Sequence, residues 1–175
     1  MSAPLAVVAL ASLSALAPDH ARLQTGGYLG MVTAGVGYSM ASDRVSIDGT
    51  YGWAPPRNGA PTAHLGTLTI GLRPLHVELG TRFVLVPLYA NGGLFLGHNA
   101  RERPPAVEDS PMVLWGVFSF GMELALYERG SGPITRHALY VEEVTLGPYF
   151  YSVVTNRGMH LTEAFSTALG YRASF

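Results

Sequence analysis

The chain has 175 residues, of which 48% are hydrophobic and only 13% are charged, and its formal net charge is −1. This length suits a single domain, and the charged fraction is about half the roughly 25% of an average soluble domain. The arginines are dispersed and cysteine is absent, which argues against nucleic-acid binding and excludes disulfides and thiolate metal sites.

The amino-terminal segment predicts a secretory signal peptide. An apolar run from Leu5 ends in Ala15-Leu16-Ala17, a small-x-small pattern suited to signal peptidase, and the polar Asp19 follows shortly. The run is shorter than the about 20 residues that a membrane-spanning helix needs. A buried helix is the alternative, because the first four residues contain no Arg or Lys. We therefore predict a signal peptide at residues 1–17 and one domain at residues 18–175.

The next segments predict β-strands. In residues 32–40 and 45–53, apolar and aromatic side chains alternate with Ser, Thr and Gly, and a turn at 41–43 joins them as a hairpin. Tyr51 and Trp53 resemble the aromatic girdle of a membrane interface. Further strands are predicted at residues 67–73, 83–90, 112–128, 137–146 and from near 163 to 175.

The predicted number of strands follows from the closure of a barrel. Seven strands are evident, with a bend predicted at Asn91-Gly92-Gly93, and either residues 75–79 or residues 149–154 are expected to supply one more. A closed barrel whose two ends share one side of a membrane needs an even number of strands. We therefore predict eight.

The last eleven residues favour a strand that faces lipid. Phe165, Leu169, Tyr171 and Phe175 fall on one face, while small or polar residues such as Gly170 fall on the other. A transmembrane barrel places its apolar face in lipid and its polar face in the lumen. The predicted fold is therefore all-β, a closed antiparallel up-and-down transmembrane barrel with its lumen filled by side chains.

Four charged residues are predicted to point into the lumen. Alternation places Asp48, Arg73, Glu123 and Arg172 on the inward faces of their strands. Two acids and two bases in a confined interior should pair, because an unpaired buried charge costs several kcal/mol. A structural plug of salt bridges is the favoured interpretation, and a polar conduit or proton path is the alternative.

Two other functions stay open at this level. A lipid-A-modifying hydrolase would need a histidine, a serine and an orienting carboxylate in contact. Its candidates are His98, His160, Ser119, Ser166 and Glu163, although the compact His-x-Ser-Asn pattern of deacylases is absent. The other alternative is an exported soluble barrel that binds an apolar ligand, with the two faces exchanged. The six histidines lack metal-ligand spacing, so we predict no metal, no cofactor and no enzymatic activity.

Three short motifs resemble a family of small, largely uncharacterised bacterial outer-membrane barrels. They are the Tyr-Gly-aromatic-x-Pro loop at 51–55, the His-x-x-Thr-Leu-Thr strand at 64–69, and a closing strand with a Leu-Gly step that ends on Phe175. The likeness covers roughly residues 30–175, and residues 99–111 depart from the Tyr-rich segment of the family. It implies location and fold, and it supplies no catalytic residues.

The resemblance sets the expected location and partners. The closing element with Gly170, Tyr171 and Phe175 resembles the signal that the barrel-assembly machinery reads. We expect a protein of the Gram-negative outer membrane, in contact with its lipid, that serves a structural, anchoring or interaction role. The loops at 54–63 and 99–111 are the surfaces predicted to meet a protein partner, because they are rich in proline and charge.

Overall fold

A computed structural model describes residues 17–56, 61–99, 112–129, 132–155 and 160–175. Residues 1–16 of the predicted signal peptide lie outside these ranges, as do residues 57–60 of the first loop predicted to meet a partner and residues 100–111 of the second. The elements are β1 (His20–Gly26), β2 (Val32–Met40), β3 (Val45–Ala54), β4 (Ala63–Leu72), β5 (Val77–Leu79), β6 (Phe83–His98), β7 (Met112–Tyr127), β8 (Arg136–Leu146), α1 (Gly147–Val154), α2 (Leu161–Ala164) and β9 (Ser166–Ser174).

Eight of the strands close into an antiparallel barrel. Neighbours follow the order β1, β2, β3, β4, β6, β7, β8 and β9, and β9 pairs back onto β1 from His20↔Ser174 to Gly26↔Ala168. The all-β class and the eight-stranded closed barrel are thereby confirmed. The strand that completes the count is β1, so the assignment of the eighth strand to 75–79 or 149–154 was wrong.

The short strand β5 continues β4 rather than adding to the barrel. Both strands pair with β6 in one register, since Leu72 faces Ala90 and Val77 faces Leu85. Pro74 lies between β4 and β5, where proline cannot donate a ladder hydrogen bond. The irregularity in β6 falls between Val86 and Tyr89, which flank a second proline. The bend predicted at 91–93 was therefore misplaced, and the ladder runs through those residues.

The segment between β8 and β9 is partly helical. Helix α1 begins at Gly147 with Pro148 in its first turn, where proline fits because its missing N–H would be unpaired anyway. Helix α2 precedes β9, so the last strand begins at Ser166 and not near Glu163. Within the described ranges, no helix is both long and apolar enough to cross a membrane.

The two faces of the barrel wall differ sharply in polarity. Seven charged residues belong to the eight barrel strands, and six of them are buried inside. The exception is Glu143, whose carboxylate accepts a hydrogen bond from Thr167 at 2.6 Å. The outward positions carry exposed large apolar side chains, among them Val36, Leu68, Ile70, Leu94, Phe120, Met122, Leu124, Leu139 and Leu169.

The strand directions define two ends. We call the end where β1, β3, β6 and β8 finish the loop end, and the opposite end, where β2, β7 and β9 finish, the turn end. The turn end holds the connection 41–44 between β2 and β3, one residue longer than predicted, with positive φ angles at Ala41, Ser42 and Asp43. It also holds both ends of the described chain, where the Phe175 N–H donates to the Asp19 carbonyl at 2.9 Å.

Candidate functional site

The interior of the barrel is divided into two layers. Charged and hydrogen-bonding side chains fill the half nearer the turn end, which we call the polar layer. Apolar side chains fill the half nearer the loop end, which we call the apolar layer. Its buried members are Leu29, Ala63, Leu65, Phe95, Val113, Val117, Val144, Leu146 and Ala168.

Glu123 is the centre of the first polar group. Its side chain on β7 is 1% exposed and meets three buried arginines. Arg136 donates to its Oε1 atom, while Arg172 Nη1 and Arg73 Nε lie 3.7 Å and 3.9 Å from Oε2. Because three cations converge on one carboxylate, this group needs a second anion.

Asp43 supplies that second anion from the connection between β2 and β3. Its carboxylate accepts hydrogen bonds from Arg136 and, at 2.5 Å, from Arg172 Nη2. Burial would raise the pKa of Asp43, but Arg172 and Arg136 outweigh burial and hold this pKa below its usual value. The connection therefore closes the turn end of the barrel with a charged side chain directed inward.

A second polar group surrounds Asp48 on β3. Its carboxylate lies 2.7 Å from His20 Nε2 and accepts a hydrogen bond from Ser46 Oγ at 2.7 Å. His20 is completely buried, and its other ring nitrogen lies 2.6 Å from the Asp19 carboxylate. The imidazole is thus held between two carboxylates, which fixes the orientation of the ring.

A third polar group forms around Glu142 on β8. Arg22 Nη2 donates to Glu142 at 3.0 Å, and the Tyr89 hydroxyl donates to the same oxygen at 3.1 Å. Arg22 also donates to Tyr140 and Gln24, and its guanidinium lies 4.9 Å from the centroid of the Tyr140 ring. Arg22 Nη1 lies 4.0 Å from Asp48, so the second and third groups are connected.

The four charged residues predicted to face the lumen belong to this network. All four side chains predicted to face the lumen are nearly fully buried there, and Glu123 pairs with Arg73 and Arg172. Asp48 instead pairs with His20, and Arg73 reaches its neighbourhood through Ser46, to which it donates at 2.9 Å. The residues that the sequence reasoning missed are His20, Arg22, Asp43, Arg136 and Glu142. With them, four arginines meet four buried or partly buried carboxylates, and His20 lies between Asp48 and Asp19.

A cavity of about 420 Å³ opens in the apolar layer at the loop end. Phe95 and Trp115 stack in its wall with ring centroids 5.8 Å apart and planes 11° from parallel. Its lining residues are Gly26, Gly27, Tyr28, Gly30, Met31, Ala54, Pro55, Ala63, Leu65, Phe95, Trp115, Leu146, Ser166 and Thr167. None of these side chains carries a formal charge.

The connection between β1 and β2 forms one wall of this cavity. Gly26, Gly27 and Gly30 adopt positive φ angles, which glycine accepts without steric cost. The connection carries Leu29 into the barrel. It passes so close to Gly52 that a β-carbon on Gly52 would lie 1.8 Å from the Leu29 carbonyl oxygen. Glycines at these positions therefore let the backbone itself line the mouth of the barrel.

The candidate hydrolase residues lie in several different places. Ser119 Oγ accepts a hydrogen bond from Asn91 within the polar layer, whereas Ser166 lines the apolar cavity. His98 faces His64 across the β4–β6 pair, with ring centroids 6.4 Å apart. The structure brings together only one of the predicted combinations, and that contact is a helix cap. The His160 backbone N–H donates to the Glu163 carboxylate at 3.1 Å.

The three residues of the predicted assembly signal lie in or next to β9. Tyr171 and Phe175 are exposed on the outer surface. Gly170 faces inward, where a β-carbon would lie 2.0 Å from Cζ of the Tyr140 ring. Among the described residues, no group of three His, Cys, Asp or Glu side chains is placed to hold a metal ion.

The chain matches no protein-family model and no curated protein.

Proposed function

We propose that the protein is an outer-membrane β-barrel that serves a structural, anchoring or interaction role. The observation that carries this proposal is the polarity of the closed wall. Of the seven charged residues in the barrel strands, six are buried inside, while Leu, Ile, Val, Phe and Met side chains are exposed outside. A wall with this polarity is stable where its surroundings are apolar.

Aromatic residues at both ends of the wall support the same proposal. Tyr51 and Trp53 are exposed near the loop end, and Tyr38 and Tyr171 are exposed nearer the turn end. Tyrosine and tryptophan favour the boundary between lipid and water because one part of each ring system is apolar and another can hydrogen-bond. The apolar belt between them would then lie in the hydrocarbon region.

The filled interior favours a structural or interaction role over passage of solutes. The three polar groups join different strands through hydrogen-bonded ion pairs, as in Arg22 on β1 with Glu142 on β8 and Arg136 on β8 with Glu123 on β7. Separating such buried pairs is costly because each ion would lose its partner in a medium of low polarity. A barrel plugged in this way presents its loop end as the surface for a partner.

A soluble barrel with exchanged faces finds no support. It would require Arg73 and Arg172 to face water, and both are nearly fully buried inside. Its outer surface would also need to be polar, because a monomer in water rarely tolerates an apolar patch above a few hundred Å². The outer face of this barrel instead exposes large apolar side chains.

Membrane fractionation tests the proposal. We expect the mature chain to sediment with outer membranes, to resist extraction by carbonate, and to migrate differently on a gel before and after heating, as closed barrels do. Release by carbonate without detergent would contradict the proposal.

A pair of arginine substitutions on the outer face tests contact with lipid directly. Ile70 is exposed near the middle of the β4–β5 line, and Leu79 is exposed at its turn end. In lipid vesicles, Ile70→Arg should lower the free energy of unfolding by about 2–4 kcal/mol and Leu79→Arg by about 0–1 kcal/mol, because the cost depends on depth. Equal effects of the two substitutions would indicate that the outer face meets water.

A further inference from the structure

We propose that the cavity at the loop end binds one unbranched acyl chain, which enters with its methyl end first. The proposal rests on the proposed function, because a barrel in an outer membrane is surrounded by molecules with such chains. It adds a ligand and a site to a barrel whose interior is otherwise filled.

The lining of the cavity fits an apolar ligand. Its volume of about 420 Å³ lies within the roughly 300–1,000 Å³ of small-molecule sites, which are lined mainly by apolar and aromatic side chains. Here Phe95 and Trp115 provide stacked rings, and Leu65 and Leu146 provide aliphatic surface. A charged headgroup would find no countercharge in this lining, so it must remain outside.

The Ser166 side chain places a hydroxyl at one side of the mouth of the cavity. Ser166 and Thr167 stand at the start of β9, where it meets the end of β1. The N–H of Gly27 already donates to the Thr167 carbonyl at 3.0 Å, so this seam is closed by backbone pairing. A carboxyl or ester group at the mouth would contact the Ser166 hydroxyl, because the Thr167 hydroxyl points outward and donates to Glu143. The chain below it would contact mainly carbon. This arrangement matches an amphiphile with a single tail.

The polar layer sets the depth of the cavity. Gln24 Nε2 would lie 3.8 Å from a β-carbon on Gly27, a lining residue, and Gln24 belongs to the hydrogen-bonded group around Arg22. A methyl end that reached this layer would displace polar contacts and gain no apolar contacts in return. The affinity should therefore rise with chain length and then stop rising.

The two tryptophans provide matched reporters. Trp115 lines the cavity, and Trp53 is exposed on the outer face near the same end. Bromine quenches tryptophan fluorescence on contact, so Trp53→Phe leaves a reporter of the cavity and Trp115→Phe leaves a reporter of the surrounding lipid. Both variants of the full-length chain would be refolded into lipid nanodiscs and checked for heat-dependent gel mobility.

The first arm uses a fatty acid brominated near its methyl end, added to nanodiscs of unbrominated lipid. We expect saturable quenching of Trp115, with only weak, non-saturating quenching of Trp53 from fatty acid that dissolves in the bilayer. The second arm uses nanodiscs of brominated phospholipid with no free fatty acid. Quenching of Trp115 there would identify the chain of a membrane lipid as the ligand, and its absence would identify a free fatty acid.

The remaining outcomes separate the two proposals. If neither arm quenches Trp115 while brominated phospholipid quenches Trp53, the barrel lies in lipid and the acyl-chain proposal is wrong. If brominated phospholipid leaves Trp53 unquenched, the proposed membrane location is wrong whatever Trp115 shows.

A blocking variant and a chain-length series complete the test. Ala63 lines the cavity, so Ala63→Phe should fill part of it and reduce the saturable quenching of Trp115 at least tenfold without changing gel mobility. Each added methylene should raise the affinity about fourfold until the cavity is full. Quenching that Ala63→Phe leaves unchanged, or an affinity that is independent of chain length, would overturn the proposal.

Discussion

Replacing Glu123 by glutamine should destabilise the barrel more than replacing any other interior carboxylate by its amide. Glu123 is buried, accepts a hydrogen bond from Arg136, and lies within 4 Å of Arg73 and Arg172. Glutamine keeps the volume of the side chain but removes the charge. Three buried guanidinium groups would then share Asp43 as their nearest anion.

The magnitude follows from the distances. Two unit charges about 4 Å apart interact by about 4 kcal/mol at an effective dielectric constant of about 20. Losing this attraction to several arginines is partly offset, because the carboxylate no longer pays its own cost of burial. Measured losses of one partner from a buried pair are about 3–5 kcal/mol, and we expect Glu123→Gln to fall in that range.

The control is Glu128→Gln at the same end of the barrel. Glu128 is exposed, and its partners Arg82 and His137 lie 3.9 Å and 3.7 Å away. A pair of this kind contributes about 0–1 kcal/mol. Equilibrium unfolding in urea, followed by tryptophan fluorescence of the barrel in lipid vesicles, measures both effects. A difference below about 1 kcal/mol between the two variants would refute the reasoning.

A double variant separates charge from local packing. Arg73→Met removes one cation from the same group, so combining it with Glu123→Gln restores the balance of interior charge. We expect the double variant to be more stable than the sum of the single effects predicts, by about 1–3 kcal/mol. Strict additivity would show that the arginines do not depend on Glu123 for their burial.

Two other substitutions test the packing and the charge of the interior. Gly170→Ala should lower the free energy of unfolding by about 1–3 kcal/mol, because its β-carbon would overlap the Tyr140 ring, whereas Gly49→Ala, with open space at that position, should not. The pKa of Asp43 is lower in the folded than in the unfolded protein. Its contribution to the stability of the folded state is therefore complete above about pH 5 and decreases as the pH falls further. In urea titrations, the free energy of unfolding of the native protein should therefore exceed that of Asp43→Asn by a constant amount above about pH 5. The difference should shrink as the pH falls below that value.

The outer wall was predictable because its pattern is local. Leu114, Phe118 and Met122 alternate with inward residues over one strand, and this period of two is visible without knowing what the strand pairs with. The inward position of Glu123 followed from the same alternation. The features that depend on neighbouring strands were much harder to infer.

Strand β1 shows what the pattern left out. Its inward residues are His20, Arg22 and Gln24, while Ala21 and Leu23 face outward. This alternation has the same polarity as the closing strand, but it is short and lies directly after the predicted signal peptide. An even strand count together with this polarity was the signal that could have identified it. Missing β1 also meant missing the partners of Asp48 and Glu142.

Helix α1 was missed for a different reason. Tyr149, Phe150 and Tyr151 are typical of strands, yet tertiary contacts override that preference here. Tyr149 stacks on Tyr28 with ring centroids 5.2 Å apart, and Phe150 packs 6.0 Å from Phe118 on the outer face of β7. Since β8 ends opposite Val117, five residues of β7 extend beyond it. The helix covers part of the surface that a longer β8 would have paired with.

The interior charges and the closure of the barrel depend on each other. Arg22 on β1 reaches Glu142 on β8 across the intervening strand β9, and Arg172 on β9 reaches Asp43 beyond β1 and β2. Neither contact exists until β9 pairs with β1, because an open sheet would hold these partners far apart. Until that pairing forms, Arg22 lacks Glu142 and Arg172 lacks Asp43. The contacts that cross β9 therefore stabilise the closed barrel over partly assembled sheets, because they form when β1 joins β9.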